Sequence, residues 1–224
     1  MSSLSLCTER SYLGLACWLG NIAGITGFIE NIPQIILNFR RKSLKGFSAL
    51  SVIIRIFSTT FTIMTRVLYK PHVSILFSAC LVQFENFIVI VQFLIYEKQK
   101  WCWTGFIAPL PGILISLLWP ASFLFTQYVP AICLVLNFIP FYITILRAHT
   151  TMGISMIGLT IGYIAAGLGI LSCSIQCTCD TISWIFYLSD VIICDIIYVT
   201  AMAFGEFRVI DSVPRTSNMK LDSE

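Results

Sequence analysis

Charged residues are scarce in this chain of 224 residues. Only 11% of them are Asp, Glu, Lys or Arg, whereas 57% are hydrophobic and the mean hydropathy is +0.87. A soluble globular domain carries about 25% charged residues, so this chain is too apolar to cover a surface that faces water. The shortage of charge excludes a soluble domain and predicts a protein embedded in lipid.

Other absences narrow the function further. The net charge of +3 is too small to indicate binding of nucleic acid, and only two histidines are present. The sequence shows no nucleophile with a partner base, no metal-binding spacing and no phosphate-binding loop. We therefore expect neither an enzyme nor a bound metal or cofactor.

Long apolar runs recur seven times, and each is long enough for a helix that crosses the roughly 30 Å hydrocarbon core. Pro109, Pro111 and Pro120 interrupt the fourth run. The runs predict an all-α membrane protein of seven transmembrane helices. They span Leu13–Asn38, Phe47–Tyr69, Val73–Tyr96, Cys102–Phe123, Tyr128–Leu146, Ile154–Cys173 and Thr181–Phe204.

The few basic residues are distributed unevenly, and this predicts the orientation. Lys and Arg accumulate on the cytosolic side of membrane proteins. Only Arg10 and Lys70 lie outside the membrane on the other side. We therefore expect a lumenal or extracellular N-terminus and a cytosolic C-terminus. The basic side holds Arg40, Arg41, Lys42, Lys45, Lys98, Lys100, Arg147, Arg208, Arg215 and Lys220.

The chain contains an internal repeat, found by sliding it along itself. At an offset of 107 residues, Pro33 falls on Pro140, Arg40 on Arg147, and Gly46 on Gly153. The third helices align at an offset of 109. Both copies begin on the same side of the membrane, so they are parallel repeats.

The repeat predicts two parallel three-helix bundles joined by a linker helix, a 3+1+3 arrangement. Its parts are a lumenal N-terminus (1–12), the first bundle (13–96), the linker region (97–127), the second bundle (128–204) and a cytosolic tail (205–224).

The loop of the first copy carries a recognisable motif. Pro33-Gln34, followed by Arg40-Arg41-Lys42-Ser43-Leu44-Lys45-Gly46-Phe47-Ser48, resembles the PQ-loop repeat. That family of seven-helix membrane proteins includes cystinosin, the lysosomal amino acid exporters and the related SWEET sugar transporters. In the second copy Phe141 stands where the family has glutamine. The stretch from residue 30 to 92 is also similar to the PQ-loop proteins linked to phospholipid handling.

The resemblance implies that Pro33 and Pro140 are hinges of a gate, together with Gln34 and Phe141. Proline removes one helical hydrogen bond, and in lipid the freed carbonyl needs another partner. Gln34 is expected to supply that partner within its own helix, which the apolar ring of Phe141 cannot do. The alternative, a static kink that improves packing, stays open.

Several polar residues fall at similar depths inside the predicted spans. Glu30 and Arg55 lie about 12 to 13 Å from the same membrane face, so we predict an ion pair between them. Their repeat partners are Asn137 and Gly162. A purely structural ion pair is the alternative.

Glu85 and Asn86 in the third span, and Asp190 and Asp195 in the seventh, extend this polar layer. Transporters with repeats place their substrate at such a depth. In sugar-transporting relatives, third-helix asparagines face the substrate, and in amino acid exporters a carboxylate on the last helix carries the coupled proton. The resemblance therefore assigns substrate binding to Asn86, Asp195 and Asn137, and proton coupling to Asp195 and Glu30. Asn86 and Asp195 are preferred over their neighbours Glu85 and Asp190.

Three cysteines crowd the sixth loop, on the side predicted to be lumenal. They are Cys173, Cys177 and Cys179. Because no histidine accompanies them, a disulfide in an oxidising compartment is favoured over a metal site. The sequence does not show which cysteines pair.

These features favour a transporter of a small polar organic solute that works by alternating access. Amino acid export from an acidic endolysosomal lumen, coupled to protons, is the preferred version. The alternatives are lipid handling, as a scramblase or a dolichol-linked factor, and a receptor or scaffold. The expected partners are the solute or lipid and the bilayer itself, and homo-oligomerisation is left open.

Overall fold

The computed structural model describes residues 11–68, 73–118, 123–176 and 181–206. Helices joined by short turns make up these ranges. The helices are α1 (Ser11–Ile29), α2 (Asn31–Arg41), α3 (Ala49–Leu68), α4 (Val73–Gln92), α5 (Thr104–Ile107), α6 (Pro109–Leu118), α7 (Phe123–Ala148), α8 (Met156–Gln176) and α9 (Thr181–Ala203). A π-helical turn, Phe93–Glu97, prolongs α4, and a 3₁₀ turn, Lys100–Trp103, precedes α5.

All seven predicted apolar runs correspond to helical segments. Four of these are long and apolar enough to cross a membrane: Ala79–Glu97, Lys100–Leu118, Tyr128–Ala148 and Met156–Ile175. A shorter apolar stretch covers Ala49–Met64. The all-helical, multi-pass character expected from composition is confirmed. The first ten residues, the tail beyond residue 206, Cys177 and Cys179 lie outside the described residues.

The first predicted span is not one continuous helix. Helix α1 ends at Ile29 and α2 begins at Asn31, with Glu30 in a turn between them. Pro33 has no amide hydrogen to donate to the carbonyl of Ile29, which interrupts the helical hydrogen bonds about one turn before the proline. Glu30 itself keeps helical dihedral angles (φ −57°, ψ −33°) and donates from its amide to the Thr26 carbonyl at 3.0 Å, so the interruption is local. In the second copy, by contrast, α7 continues through Pro130 and Pro140. The two repeat-related prolines therefore act differently on their helices.

The fourth predicted span is also divided. The 3₁₀ turn, α5 and α6 follow one another, and α6 begins at Pro109. Proline is well suited to the first position of a helix, where its missing amide hydrogen has no partner to lose.

The packing of the helices follows the internal repeat. At the repeat offsets of 107 and 109 residues, α1 corresponds to α7, α3 to α8 and α4 to α9. The contact of α1 with α8 has its counterpart in that of α3 with α7. The contacts of α3 with α4 and of α1 with α4 match those of α8 with α9 and of α7 with α9. Helices α5 and α6 pack against α3 without such a counterpart.

Candidate functional site

Two loops with matching hydrogen bonds lie at one end of the helices. We call them loop A (residues 42–48, between α2 and α3) and loop B (residues 149–155, between α7 and α8). Each begins with a residue of positive φ, Lys42 at 50° and His149 at 47°. In each, a hydroxyl accepts a hydrogen bond from the amide two residues later, Ser43 from Lys45 and Thr150 from Met152. The repeat is thus preserved in local geometry.

Each loop is held by a carboxylate that follows the third helix of its own repeat, Glu97 after α4 and Glu206 after α9. Glu97 Oε1 accepts hydrogen bonds from the Ser43 hydroxyl at 2.9 Å and the Leu44 amide at 2.7 Å. Glu206 accepts hydrogen bonds from the hydroxyl and amide of Thr151 and from the hydroxyl of Thr150. Sequence reasoning missed both residues, although they are 109 apart, the offset of the third helices.

Loops A and B meet at two glycines. A methyl group on Gly153 would collide with the carbonyl oxygen of Lys45, and one on Gly46 would lie 3.4 Å from Cα of Gly153. Gly46 also has a φ of +87°, which favours glycine. The two halves therefore close against each other at this end, backbone to backbone.

Gln34 fastens this closure from the first half. Its amide nitrogen donates to the Gly153 carbonyl at 2.9 Å and to Asn38 Oδ1 at 2.7 Å, and its carbonyl accepts from the Ser155 amide at 2.7 Å. Both amide hydrogens are used in these bonds. The expectation that Gln34 satisfies the carbonyl freed by Pro33 is therefore wrong, because the side chain reaches across to loop B instead.

Phe141 occupies the corresponding position in the second half and contributes differently. Its ring packs edge to face against Phe47 of loop A, with the centroids 5.3 Å apart. The closure is therefore polar on one side of the repeat and aromatic on the other.

Next to this closure, a polar cluster extends from the break between α1 and α2. Arg55 Nη2 lies 3.6 Å from Glu30 Oε1, so the structure places these two residues together. Arg55 also donates to Asn31 Oδ1 at 3.3 Å, and Asn31 in turn donates to Glu85 Oε2 at 3.2 Å. One cation thus connects two carboxylates, directly and through an amide.

The cluster borders a small pocket between α2, α3 and α4. Two of the atoms in this wall are buried without a hydrogen-bond partner, Glu85 Oε1 and Asn86 Nδ2. Leaving such an atom unpaired costs about 1 to 3 kcal/mol, and the pocket has room for about one water molecule, which could donate to Glu85 Oε1 and accept from Asn86 Nδ2. The lining residues are Asn31, Gln34, Phe47, Val52, Arg55, Glu85, Asn86 and Val89.

A ladder of amides connects the pocket wall with the closed end. Asn38 donates to Gln92 Oε1 at 2.9 Å, and Gln92 donates to the carbonyl of Ile35 at 3.0 Å. Together with the bond from Gln34 to Asn38, these contacts couple the hydrogen bonds of loop B to α2 and α4.

The second half contributes less to this cluster. Asn137, the repeat partner of Glu30, is buried and accepts a long hydrogen bond of 3.5 Å from the Ser51 hydroxyl. At Gly162, the repeat partner of Arg55, a methyl group would lie 2.7 Å from Glu30 Oε2. The missing side chain at Gly162 therefore makes room for the carboxylate of Glu30.

The two aspartates of α9 point in different directions. Asp190 is half-buried and lies within the electrostatic influence of Glu30 and Arg55. Asp195 is exposed on another face of the helix. Residues five apart diverge by about 140° around a helix. Asp195 is thus placed apart from the Glu30–Arg55 cluster to which the sequence assigned it, whereas its less favoured neighbour Asp190 lies beside that cluster. Glu85 and Asn86 both line the pocket with Arg55.

At the end of α8 opposite the loops, Cys173 is disulfide-bonded and buried. Its partner is not among the side chains that the structure describes. Within the same ranges, no group of three His, Cys, Asp or Glu side chains is arranged to hold a metal ion.

Fold and site together define a helical membrane protein built around two repeat-related loops. Residues 15–74 match the family model of the PQ loop repeat. This match covers Pro33, Gln34 and loop A, so the chain carries a PQ-loop repeat, as the resemblance predicted. No curated protein matches the chain.

Proposed function

We propose that this protein is a transporter of a small polar organic solute, built as two parallel three-helix bundles with one linker helix. The matched helix contacts support this arrangement, because each contact within and between the two sets of helices has a repeat-related counterpart. Transporters built from such repeats bind their substrate between the two halves. The pocket beside Arg55 is lined by the first half alone, so its widening toward the second half is part of the proposal.

The observation that carries the proposal is the pair of unsatisfied buried atoms beside Arg55. Glu85 Oε1 is an acceptor and Asn86 Nδ2 is a donor. Once the pocket, which has room for about one water molecule here, has widened, a solute with an amine and a carboxylate, such as an amino acid, would satisfy both, with the carboxylate also near the guanidinium of Arg55. Closure of loops A and B then corresponds to the state that is shut at the loop end.

Alternating access requires that this closure open. We propose that Gln34, Phe141 and the two repeat-related prolines, Pro33 and Pro140, form the gate that moves. We propose Glu30 as the group that couples protons, since it lies at the break and pairs with Arg55. The proposed direction is export from an acidic endolysosomal lumen.

Lipid handling and a receptor or scaffold role are the alternatives. A lipid pathway needs a polar groove that opens sideways to the bilayer. The pocket beside Arg55 lies instead among three helices and loop A. This favours a solute that enters from water.

The test is uptake by the purified protein in liposomes, with amino acids and sugars, with and without a pH gradient. Asn86→Leu and Glu85→Leu should lower uptake about tenfold or more, the effect of losing one or two hydrogen bonds to a polar ligand. Phe84→Leu is the matched control, because Phe84 precedes Glu85 but is exposed on the outer face of α4. Folded protein that moves no solute but flips dye-labelled lipids would overturn the proposal in favour of lipid handling.

A further inference from the structure

The linker helices fill a groove between α3 and α4. A methyl group on Gly105 of α5 would lie 3.0 Å from Cδ1 of Ile90, and one on Gly112 of α6 would lie 3.2 Å from Cγ2 of Thr60. Phe106 of α5 stacks on Phe87 of α4 with the ring centroids 5.5 Å apart. The linker therefore buries one face of each helix, and Ile90 is 0% exposed.

The repeat places an equivalent groove between α8 and α9, and no other helix of the described residues covers it. Val199, the repeat partner of Ile90, is 60% exposed. Ile192, the partner of Gln83, is 57% exposed, whereas Gln83 is 9% exposed. Gly167, the partner of Thr60, has nothing within 4 Å of the position of a methyl group. In the part of the chain that the structure describes, one linker thus serves two repeat-related grooves.

The exposed residues of α9 are spaced like the residues with which one helix packs along another. They recur at alternating intervals of three and four, the spacing at which one helix packs along another. They are Ile185, Leu188, Ile192, Asp195, Val199 and Met202. All are apolar except Asp195, whose repeat partner Asn86 is buried.

Asp195 makes this face unsuitable for lipid alone. It lies eight residues before the end of α9, or about 12 Å along the helix, which is well inside the span that the sequence predicts for Thr181–Phe204. A charged side chain that faces hydrocarbon is costly and normally has a partner. Within the part of the chain that the structure describes, Asp195 makes no hydrogen bond or ion pair.

We propose that the α8–α9 groove docks a transmembrane helix of another membrane protein, which carries a Lys or Arg side chain at the depth of Asp195. The groove supplies the apolar seam and the open space at Gly167, and Asp195 supplies the counter-charge. The partner would occupy on the second repeat the place that α5 and α6 occupy on the first. This inference does not depend on what the protein transports.

A second copy of the chain fits this groove less well. The exposed basic side chains in the described ranges all lie near the loop end, whereas Arg55 is paired with Glu30. None of them would reach the depth of Asp195 from a neighbouring copy. They are Arg40, Lys42, Lys45, Lys98, Lys100 and Arg147.

The experiment uses the full chain in liposomes with designed single-span helices of leucine and alanine, which carry Lys, Leu or Glu at the centre. Fluorescence energy transfer between a fluorescent protein on the C-terminus and a dye on the designed helix reports docking. The Lys helix should dock roughly tenfold more tightly than the Leu helix, the size of a polar contact between helices in a membrane. Asp195→Leu should abolish this preference, and Asp195→Lys should transfer it to the Glu helix.

Two further variants test the shape of the groove separately from the charge of Asp195. Gly167→Phe keeps Asp195 but fills the groove, and it should also prevent docking. Leu114→Phe adds a ring to the exposed face of α6 and should leave docking unchanged. Equal docking of the Lys and Leu helices, or a preference that survives Asp195→Leu, would overturn the proposal. Photobleaching that counts two copies together in the unsubstituted chain, but single copies in Asp195→Leu, would also overturn it. A second copy of the chain would then be the occupant of the groove.

Discussion

Positions 34 and 141 show how one repeat can place different chemistry at equivalent sites. Gln34 links the two halves through hydrogen bonds to Gly153 and Ser155, whereas Phe141 links them through ring packing on Phe47. Hydrogen bonds depend on direction, but ring contacts tolerate small shifts. The two sides of the closure should therefore respond differently to substitution.

Gln34→Leu should loosen loop B. The substitution leaves the buried amide of Ser155 without its acceptor, at a cost of about 1 to 3 kcal/mol. Local opening would become easier by the same amount. Hydrogen exchange at the Ser155 amide should accelerate roughly ten- to hundredfold.

Phe141→Leu is the control for this prediction. It keeps an apolar side chain near Phe47 and leaves Gln34 and its partners untouched, so exchange at Ser155 should change little. An unchanged Ser155 rate in Gln34→Leu would show that another group satisfies that amide.

At the scale of helices, α8 packs so closely against the end of α1 that two of its positions have no room for a side chain larger than glycine. A methyl group on Gly158 would lie 2.5 Å from the backbone oxygen of Glu30, and one on Gly162 would lie 2.7 Å from the carboxylate of Glu30. In the first case the obstacle is backbone, while in the second it is the end of a side chain that can rotate. The two glycines thus differ in how firmly they fix the helix contact.

Gly158→Ala should destabilise the protein more than Gly162→Ala. Overpacking against a fixed backbone costs about 1 to 3 kcal/mol, whereas the carboxylate of Glu30 can move away from a methyl group at residue 162. Thermal unfolding in detergent, followed with a thiol-reactive or intrinsic fluorescence signal, measures the difference.

Gly27→Ala provides the matched control in α1, because nothing lies within 4 Å of a methyl group there. Alanine has a higher helix propensity than glycine, so this variant should be neutral or slightly more stable. Equal losses for Gly158→Ala and Gly162→Ala would contradict this prediction, because the carboxylate of Glu30 would then be held as firmly as its backbone oxygen.

At the scale of the whole molecule, hydrophobic runs were enough to predict the helical segments, whereas the contacts between helices came from the structure and not from the repeat offsets. The pairing of Glu30 with Arg55 followed from equal depth on consecutive helices. The exposure of Asp195 did not follow, because the burial of its partner Asn86 accompanies a linker that covers only one repeat. The roles of Glu97 and Glu206 were not predicted, because they depend on α4 and α9 ending beside loops A and B in the folded chain.

The orientation of the molecule remains a prediction from its basic residues, and it can be tested directly. Lys45→Cys and Arg147→Cys place a thiol in or beside the two loops, where both native side chains are exposed. If this end faces the cytosol, a membrane-impermeant thiol reagent should label both in plasma-membrane-permeabilised cells with intact organelles. Ser174→Cys, near the other end of α8, should react only after the organelle membrane is also opened.

The disulfide of Cys173 supports the same orientation, because such bonds persist on the oxidising side of a membrane. Cys173 lies 17 residues beyond the start of α8 at Met156, or about 26 Å from the loop end. The basic loops and the disulfide are thus at opposite faces. The unsubstituted chain, with its native cysteines, gives the background for the labelling experiment. Labelling of Ser174→Cys before that of Lys45→Cys would reverse the orientation and, with it, the proposed direction of export.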